Sequence, residues 1–330
     1  MTLSNCNRVI DVHAHIVFPE SMGKAGRFGP ELDVDTDGVV FFRFGGYSMK
    51  PMDYRNTVFM DHAMRLDAMA QHGIDLQLLS PNPLTLFHHI PSPEAIAFCQ
   101  TQNDAMAALV GRYPAQFLGA AAVPMQDIDA AIQEAERAIN ELGLCAIYIG
   151  THLPYDLDDP RLDAFYAAVT ALDVPLFFHP ASSGGVSGPD DARLARFDMT
   201  LILGYAYEET IAAAQLVLGG VLDRHPQLDI CLSHGAGATT FLIPKFEGWA
   251  KVRDWAPDSV QELGFTEVLK KLWFDVHISG SVQQQLLIDS VGADRCVYGT
   301  NFGGWDTPAE AGEFAKSFTC NSETLLRLKQ

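Results

Sequence analysis

Short apolar runs alternate with segments of helical period along the whole chain, and this rhythm limits the fold more than any other feature. The runs fall at residues 9–15, 76–79, 117–122, 145–149, 175–179, 228–233, 273–277 and 296–298. Between them, apolar residues recur at helical spacing over 58–71, 93–113, 128–142, 160–172, 210–222, 241–255 with 262–271, 282–290 and 308–316. Gly73 and Gly143 stand where helices stop, and Asp159-Pro160 stands where one starts. After the first run, the repeat comes at intervals of about 25 to 50 residues, which predicts parallel strands joined by helices. Eight such units close a (β/α)8 TIM barrel of the α/β class. The rival, a doubly wound open sheet, would gather its polar residues at one switch point, whereas here they come from many strands.

The stretch 18–56 interrupts the rhythm. It is rich in Gly, Asp and Pro and reads as an irregular, flap-like insertion after the first strand of a single domain spanning 1–330. Arg43 is its candidate for contact with an anion.

Lys and Arg total 22 against 41 Asp and Glu, a net charge of −19, which opposes nucleic acid and anionic membranes as partners. An acidic substrate would need a local positive centre such as a metal. The six cysteines, Cys6, Cys99, Cys145, Cys231, Cys296 and Cys320, form no C-x-x-C pair and read as reduced. With no basic-then-apolar leader and no long apolar span, a cytoplasmic location is expected. The chain stops soon after its eighth helical segment, which points to a terminal segment beyond it.

Six of the 11 histidines stand at the ends of the proposed strands: His13, His15, His152, His179, His234 and His277. Residues i and i+2 of a strand share a face, so His13 and His15 project together. Neutral imidazoles suit zinc and other late divalent ions, and a catalytic site typically keeps three protein ligands and an open position. His13, His15 and His179 are the expected ligands, with His234 facing the open position to transfer a proton or to hydrogen-bond the metal-bound oxygen. The Gly235-Ala236-Gly237 that follows is expected to let substrate approach the backbone.

Asp11-Val12-His13-Ala14-His15, Ile149-Gly150-Thr151-His152, Phe178-His179-Pro180, Ser233-His234-Gly235-Ala236-Gly237 and Tyr298-Gly299-Thr300-Asn301 resemble, in order, the motifs of the amidohydrolase superfamily. More narrowly they are similar to its 2-amino-3-carboxymuconate 6-semialdehyde decarboxylase branch. The resemblance covers about residues 8 to 310. It implies a (β/α)8 barrel holding one zinc or manganese ion, commonly dimeric, that decarboxylates aromatic or muconate acids or hydrolyses or hydrates related compounds. Carried over, His13, His15 and His179 would be ligands and His234 the histidine near the bound water.

Two positions depart from that pattern. Asn301 stands where the family places a metal-ligating aspartate; its amide oxygen ligates weakly and cannot take up a proton near neutral pH. His277 or Asp306 is then a candidate for the missing base. Lys245 stands where the decarboxylase has an arginine that holds the substrate carboxylate, and a lysine offers a point charge instead of a fork. Phe302 and Trp305 are placed to stack on a planar substrate, His152 to touch it, and His88 and His89 to reach the mouth. Asp275 is placed to orient a ligand or to pair with backbone, and Glu208-Glu209 reads as a solvated face. The expected activity is metal-dependent decarboxylation of a small planar acid. Metal-dependent hydrolysis of a C–C, C–N or thioester bond is the alternative, and a non-catalytic binder the third.

Overall fold

The apolar run at the N-terminus forms strand β1 (Ile10–Ile16) of a barrel whose eight strands all run parallel, in a computed structural model that describes residues 8–181, 191–303 and 311–328. Its neighbours follow in chain order. A three-stranded sheet in the insertion, β2 (Glu31–Val34), β3 (Val40–Phe44) and β4 (Tyr47–Met49), precedes barrel strands β5 (Leu76–Pro81), β6 (Phe117–Ala122), β7 (Ala146–Gly150) and β8 (Leu176–His179). Strands β9 (Ile230–Leu232), β10 (Trp273–Asp275) and β11 (Cys296–Val297) complete the ring. It closes because Val12 N donates to Tyr298 O at 2.9 Å and His15 N donates to Phe302 O at 2.8 Å. All eight apolar runs are strands, and helices stand between them.

Local chemistry explains the helix ends. Asp61 caps His62–His72 by accepting from Met64 N, and Asp127 caps Ile128–Asn140 by accepting from Ala130 N. Gly73 ends the first of these in the left-handed conformation.

Ile10 and Val12 pack with Leu78, Ala120, Phe177, Cys231, Trp273 and other strand side chains, which together fill the barrel interior. The register of β1 against β5 shifts between Asp11 and Ala14, a bulge that lets Val12 and then His13 both turn inward. Asp11 turns the other way, toward the helix layer. It accepts from Thr300 Oγ1 at 2.7 Å, Thr300 N at 3.0 Å, His13 N at 3.0 Å and Gln77 Nε2 at 2.9 Å. Gln77 in turn accepts from Arg65 at 3.0 Å, and Arg65 donates to the carbonyl of His15. These buried bonds tie β1, β5 and β11 together directly beneath the site.

The insertion is not irregular. β3 pairs antiparallel with both β2 and β4, and Phe42, Phe44, Met49 and Tyr54 pack on Leu84 and Phe98. Burial of those rings seats the insertion against the loop after β5 and the following helix. Among the cysteines, Cys99, Cys145, Cys231 and Cys296 are free thiols; Cys320 is disulfide-bonded, contrary to the expectation of a reduced residue, and Cys6 lies outside the described residues. No helix among the described residues is long and apolar enough to cross a membrane.

Candidate metal centre

The C-terminal end of the barrel brings three imidazoles to one point. His13 and His15 come from β1 and His179 from the end of β8, all buried, and one ring nitrogen of each lies within 4.8 Å of the others. Their ring centroids are 4.8 to 5.0 Å apart.

The hydrogen bonds behind the rings fix which nitrogen faces inward. His13 Nδ1 lies 2.7 Å from Asp275 Oδ2 and His179 Nδ1 lies 2.8 Å from the carbonyl of Pro180, so both carry the proton on Nδ1. Ser80 Oγ donates to Ala14 O at 3.2 Å and so accepts from His15 Nδ1 at 3.0 Å. Each Nε2 is left with a lone pair. Those of His13 and His15 face each other at 3.1 Å, and His179 Nε2 is buried with no partner among the described residues. Burial, reinforced by the neighbouring imidazoles, holds all three well below the usual histidine range. Uncharged rings with converging lone pairs and no donor between them fit a divalent cation.

His234 stands beside this triad, its ring centroid 4.8 Å from that of His13 and 5.0 Å from that of His179. Its backbone has φ 46°, uncommon for a residue with a side chain. Nδ1 lies 2.7 Å from Glu209 Oε1, which also accepts from Ser233 Oγ at 2.6 Å. Glu208 and Glu209 therefore do not form a solvated face: their exposures are 7% and 1%. Burial pushes the Glu209 carboxyl up, against the bonds from His234 and Ser233. His277 borders the same cluster, 5.5 Å from His234 by ring centroids, and Asp275 accepts from His13 Nδ1 and from the backbone N–H of His277.

A cavity of about 170 Å³ opens from His15, His179 and Asn301. Asn301 has φ 53° and lines the cavity beside His15. Met52, Tyr54 and Phe59 of the insertion form one wall, and Asn82, Leu84 and Tyr205 contribute to the rest.

Several expected contacts lie elsewhere. The guanidinium of Arg43 is held by Glu31, at 2.7 Å through both Nε and Nη2, and by the carbonyls of Arg27 and Gly45, so it is not delivered to the cavity. Lys245 is exposed on helix Thr239–Ala250 and does not line the cavity. Phe302 is 2% exposed with its ring against Arg65 and His72, so it is a packing residue and does not stack on substrate. His152 is exposed, 3.9 Å from Glu208. His88 is buried and accepts from Gly150 N at 2.9 Å, while His89 lies among the rings of Phe28 and Phe87. Trp305 and Asp306 lie outside the described residues. Gly235 and Gly237 serve packing: a Cβ would meet Ile278 Cδ1 at 2.3 Å and Ala206 O at 2.1 Å.

Comparison with known proteins agrees with this geometry. The chain is 27% identical over 298 residues to a 2-amino-3-carboxymuconate-6-semialdehyde decarboxylase of Dictyostelium discoideum, covering 89% of this chain and 81% of that one. It is 32% identical over 262 residues to a gamma-resorcylate decarboxylase of Rhodococcus jostii, covering 72% and 76% respectively. The fold matches that of a dihydroxybenzoic acid decarboxylase of Polaromonas, solved with bound manganese and 2-nitroresorcinol, with a TM-score of 0.74, 22% identity and 98% of each chain covered. A divalent metal is the cofactor that the triad and this kinship indicate. The sequence pattern described as Amidohydrolase matches residues 10–325, and the chain belongs to that family, in its 2-amino-3-carboxymuconate-6-semialdehyde decarboxylase branch.

Proposed function

We propose that the protein is a metal-dependent decarboxylase of a small planar aromatic or muconate-type acid. The observation that carries this reading is the convergence of three uncharged imidazoles, each aimed by a bond behind it, on one cavity. His13, His15 and His179 would hold the ion, zinc by preference for an all-nitrogen set and manganese as the alternative, with the Asn301 amide oxygen a weak fourth donor. When bound, the ion supplies Lewis acidity toward an oxygen of the substrate.

The protein's own groups do the rest. Asp275 keeps His13 in the ligating tautomer, and Glu209 holds His234 through Nδ1, which makes Nε2 the nitrogen that carries a proton. His234 delivers that proton to the ring carbon bearing the carboxylate; the bond to the carboxylate breaks, its electron pair returns to the ring, and carbon dioxide leaves. His277 stands close enough to relay a replacement proton.

The test is mass analysis of the organic product formed in isotopically labelled water. Loss of carbon dioxide with no solvent oxygen in the product supports decarboxylation, and incorporation of solvent oxygen replaces it with hydrolysis or hydration. A metal-loaded protein inert toward all such acids would instead be a binder.

We also propose a homodimer. Tyr207, Phe241, Trp249 and Val282 are 51%, 77%, 52% and 74% exposed on three helices that pack side by side, an apolar face suited to a second copy. Sedimentation of wild type against Phe241→Glu tests it. A cytoplasmic location is proposed on the four free thiols, with the Cys320 disulfide weighing against it.

A further inference from the structure

Among the described residues, no arginine or lysine lines the cavity beside the triad. In the sequence, residues 182–190 and 304–310, which lie outside the described residues, contain neither residue type. The cations nearest in the chain are committed elsewhere. Lys50 pairs with Asp35 and Arg55 with Asp53, Arg43 is engaged by Glu31, and Arg65, fully buried, donates to Val58 O, Gln77 and His15 O. What faces the cavity from the insertion is Met52, Tyr54 and Phe59, and the last two rings stack at 4.3 Å with an angle of 27°, one stiff aromatic wall. Leu84 and Pro83 also line the cavity.

These surroundings have a chemical consequence. A cavity near 150 Å³ takes a single benzene ring, so about 170 Å³ suits one ring with small substituents. One carboxylate can be neutralised at the histidine end. A second would sit against the thioether and the aromatic wall with no cation and few donors, and an ionised group pays heavily for that desolvation. Neutral polar substituents fare better: Asn82 spends its side-chain oxygen on Leu84 N, and its amide nitrogen has no partner among the described residues.

We propose that this site selects ring monocarboxylic acids, preferably hydroxylated, over dicarboxylic acids of the same size, and that Met52, Tyr54 and Phe59 make the selection. The proposal rests on the decarboxylase reading only in placing the substrate carboxylate at the histidine end.

Calorimetry on the metal-loaded protein tests it, using a hydroxybenzoic acid and the same ring bearing a second carboxylate. The monoacid is expected to bind roughly tenfold tighter or better. Met52→Arg, which adds a cation at the wall, is expected to narrow that gap by roughly tenfold. Equal or tighter binding of the diacid by the wild type overturns the proposal, as does an unchanged gap in a folded, metal-loaded Met52→Arg protein. Carbon dioxide release is measured in parallel and separates the two readings. Selective binding of the monoacid without release leaves the selection standing and removes decarboxylation. Release from the diacid at the same rate overturns the selection and keeps decarboxylation.

Discussion

The carboxylate of Glu209, on helix Tyr205–Leu218, lies 2.7 Å from Nδ1 of His234, which follows β9, so a buried acid stands behind the imidazole that faces the metal triad. Substituting Glu209→Gln keeps an acceptor and removes the charge. The turnover number is expected to fall by about 10- to 100-fold with KM little changed. Steady-state kinetics on metal-replete protein, with the melting temperature measured alongside, check this; an unchanged turnover number would show that the bracing charge is not used.

Asp275 holds His13 in the ligating tautomer from the far side of the ring. The purified protein is expected to carry about one divalent ion per chain, and a chelator to lower its melting temperature. Asp275→Asn is expected to weaken metal affinity by about 10- to 100-fold, and His179→Ala by more. Elemental analysis and competition with a metal indicator read both effects.

Asn301 already occupies a left-handed backbone conformation that aspartate tolerates as well as asparagine, so Asn301→Asp changes chemistry without straining the chain. The aspartate form is expected to retain metal more tightly and to turn over about tenfold faster or more, because it adds a charged ligand and a proton acceptor. An unchanged rate would leave His234 as the sole proton carrier.

His88 accepts the Gly150 N–H through Nε2, and burial, with smaller contributions from His89 and His152, lowers its pKa to about 3. The unfolded chain takes up this proton near pH 6.5 and the folded one does not until about pH 3. Stability from this group is therefore complete above pH 6.5 and is lost as pH falls toward 3, by about 1.4 kcal/mol per pH unit. His88→Gln, which keeps an acceptor, is expected to flatten that part of the curve. Denaturant titrations between pH 7 and pH 4 compare the two.

The barrel was legible because its signal is periodic: eight runs of buried strand residues with helical segments between them leave little choice of topology. The histidines were legible because they stand where such strands end. What escaped was non-periodic or depended on distant partners. The Gly45-Gly46 pair between Phe44 and Tyr47 is hairpin chemistry, and it marks the insertion as a sheet, but the surrounding Gly, Asp and Pro obscured it. Glu209 is four residues before Ala213 and seven before Leu216, on the buried stripe of its helix, yet beside Glu208 it looked like half of a solvated pair. Arg43 could not be placed from sequence because its partner, Glu31, is fixed by a strand register the sequence did not reveal. The bulge in β1, which parts Asp11 from His13, breaks the simple alternation on which such readings rely.

The three-stranded insertion joins the barrel between β1 and the first helix, and its side chains wall the cavity while contributing nothing to the imidazole cluster. Reactivity and choice of reactant are thus written on separate stretches of polypeptide. Exchanging the residues around Met52, Tyr54 and Phe59 would retune what the enzyme accepts while the ring of parallel strands, and the ion it is built to grip, stay as they are.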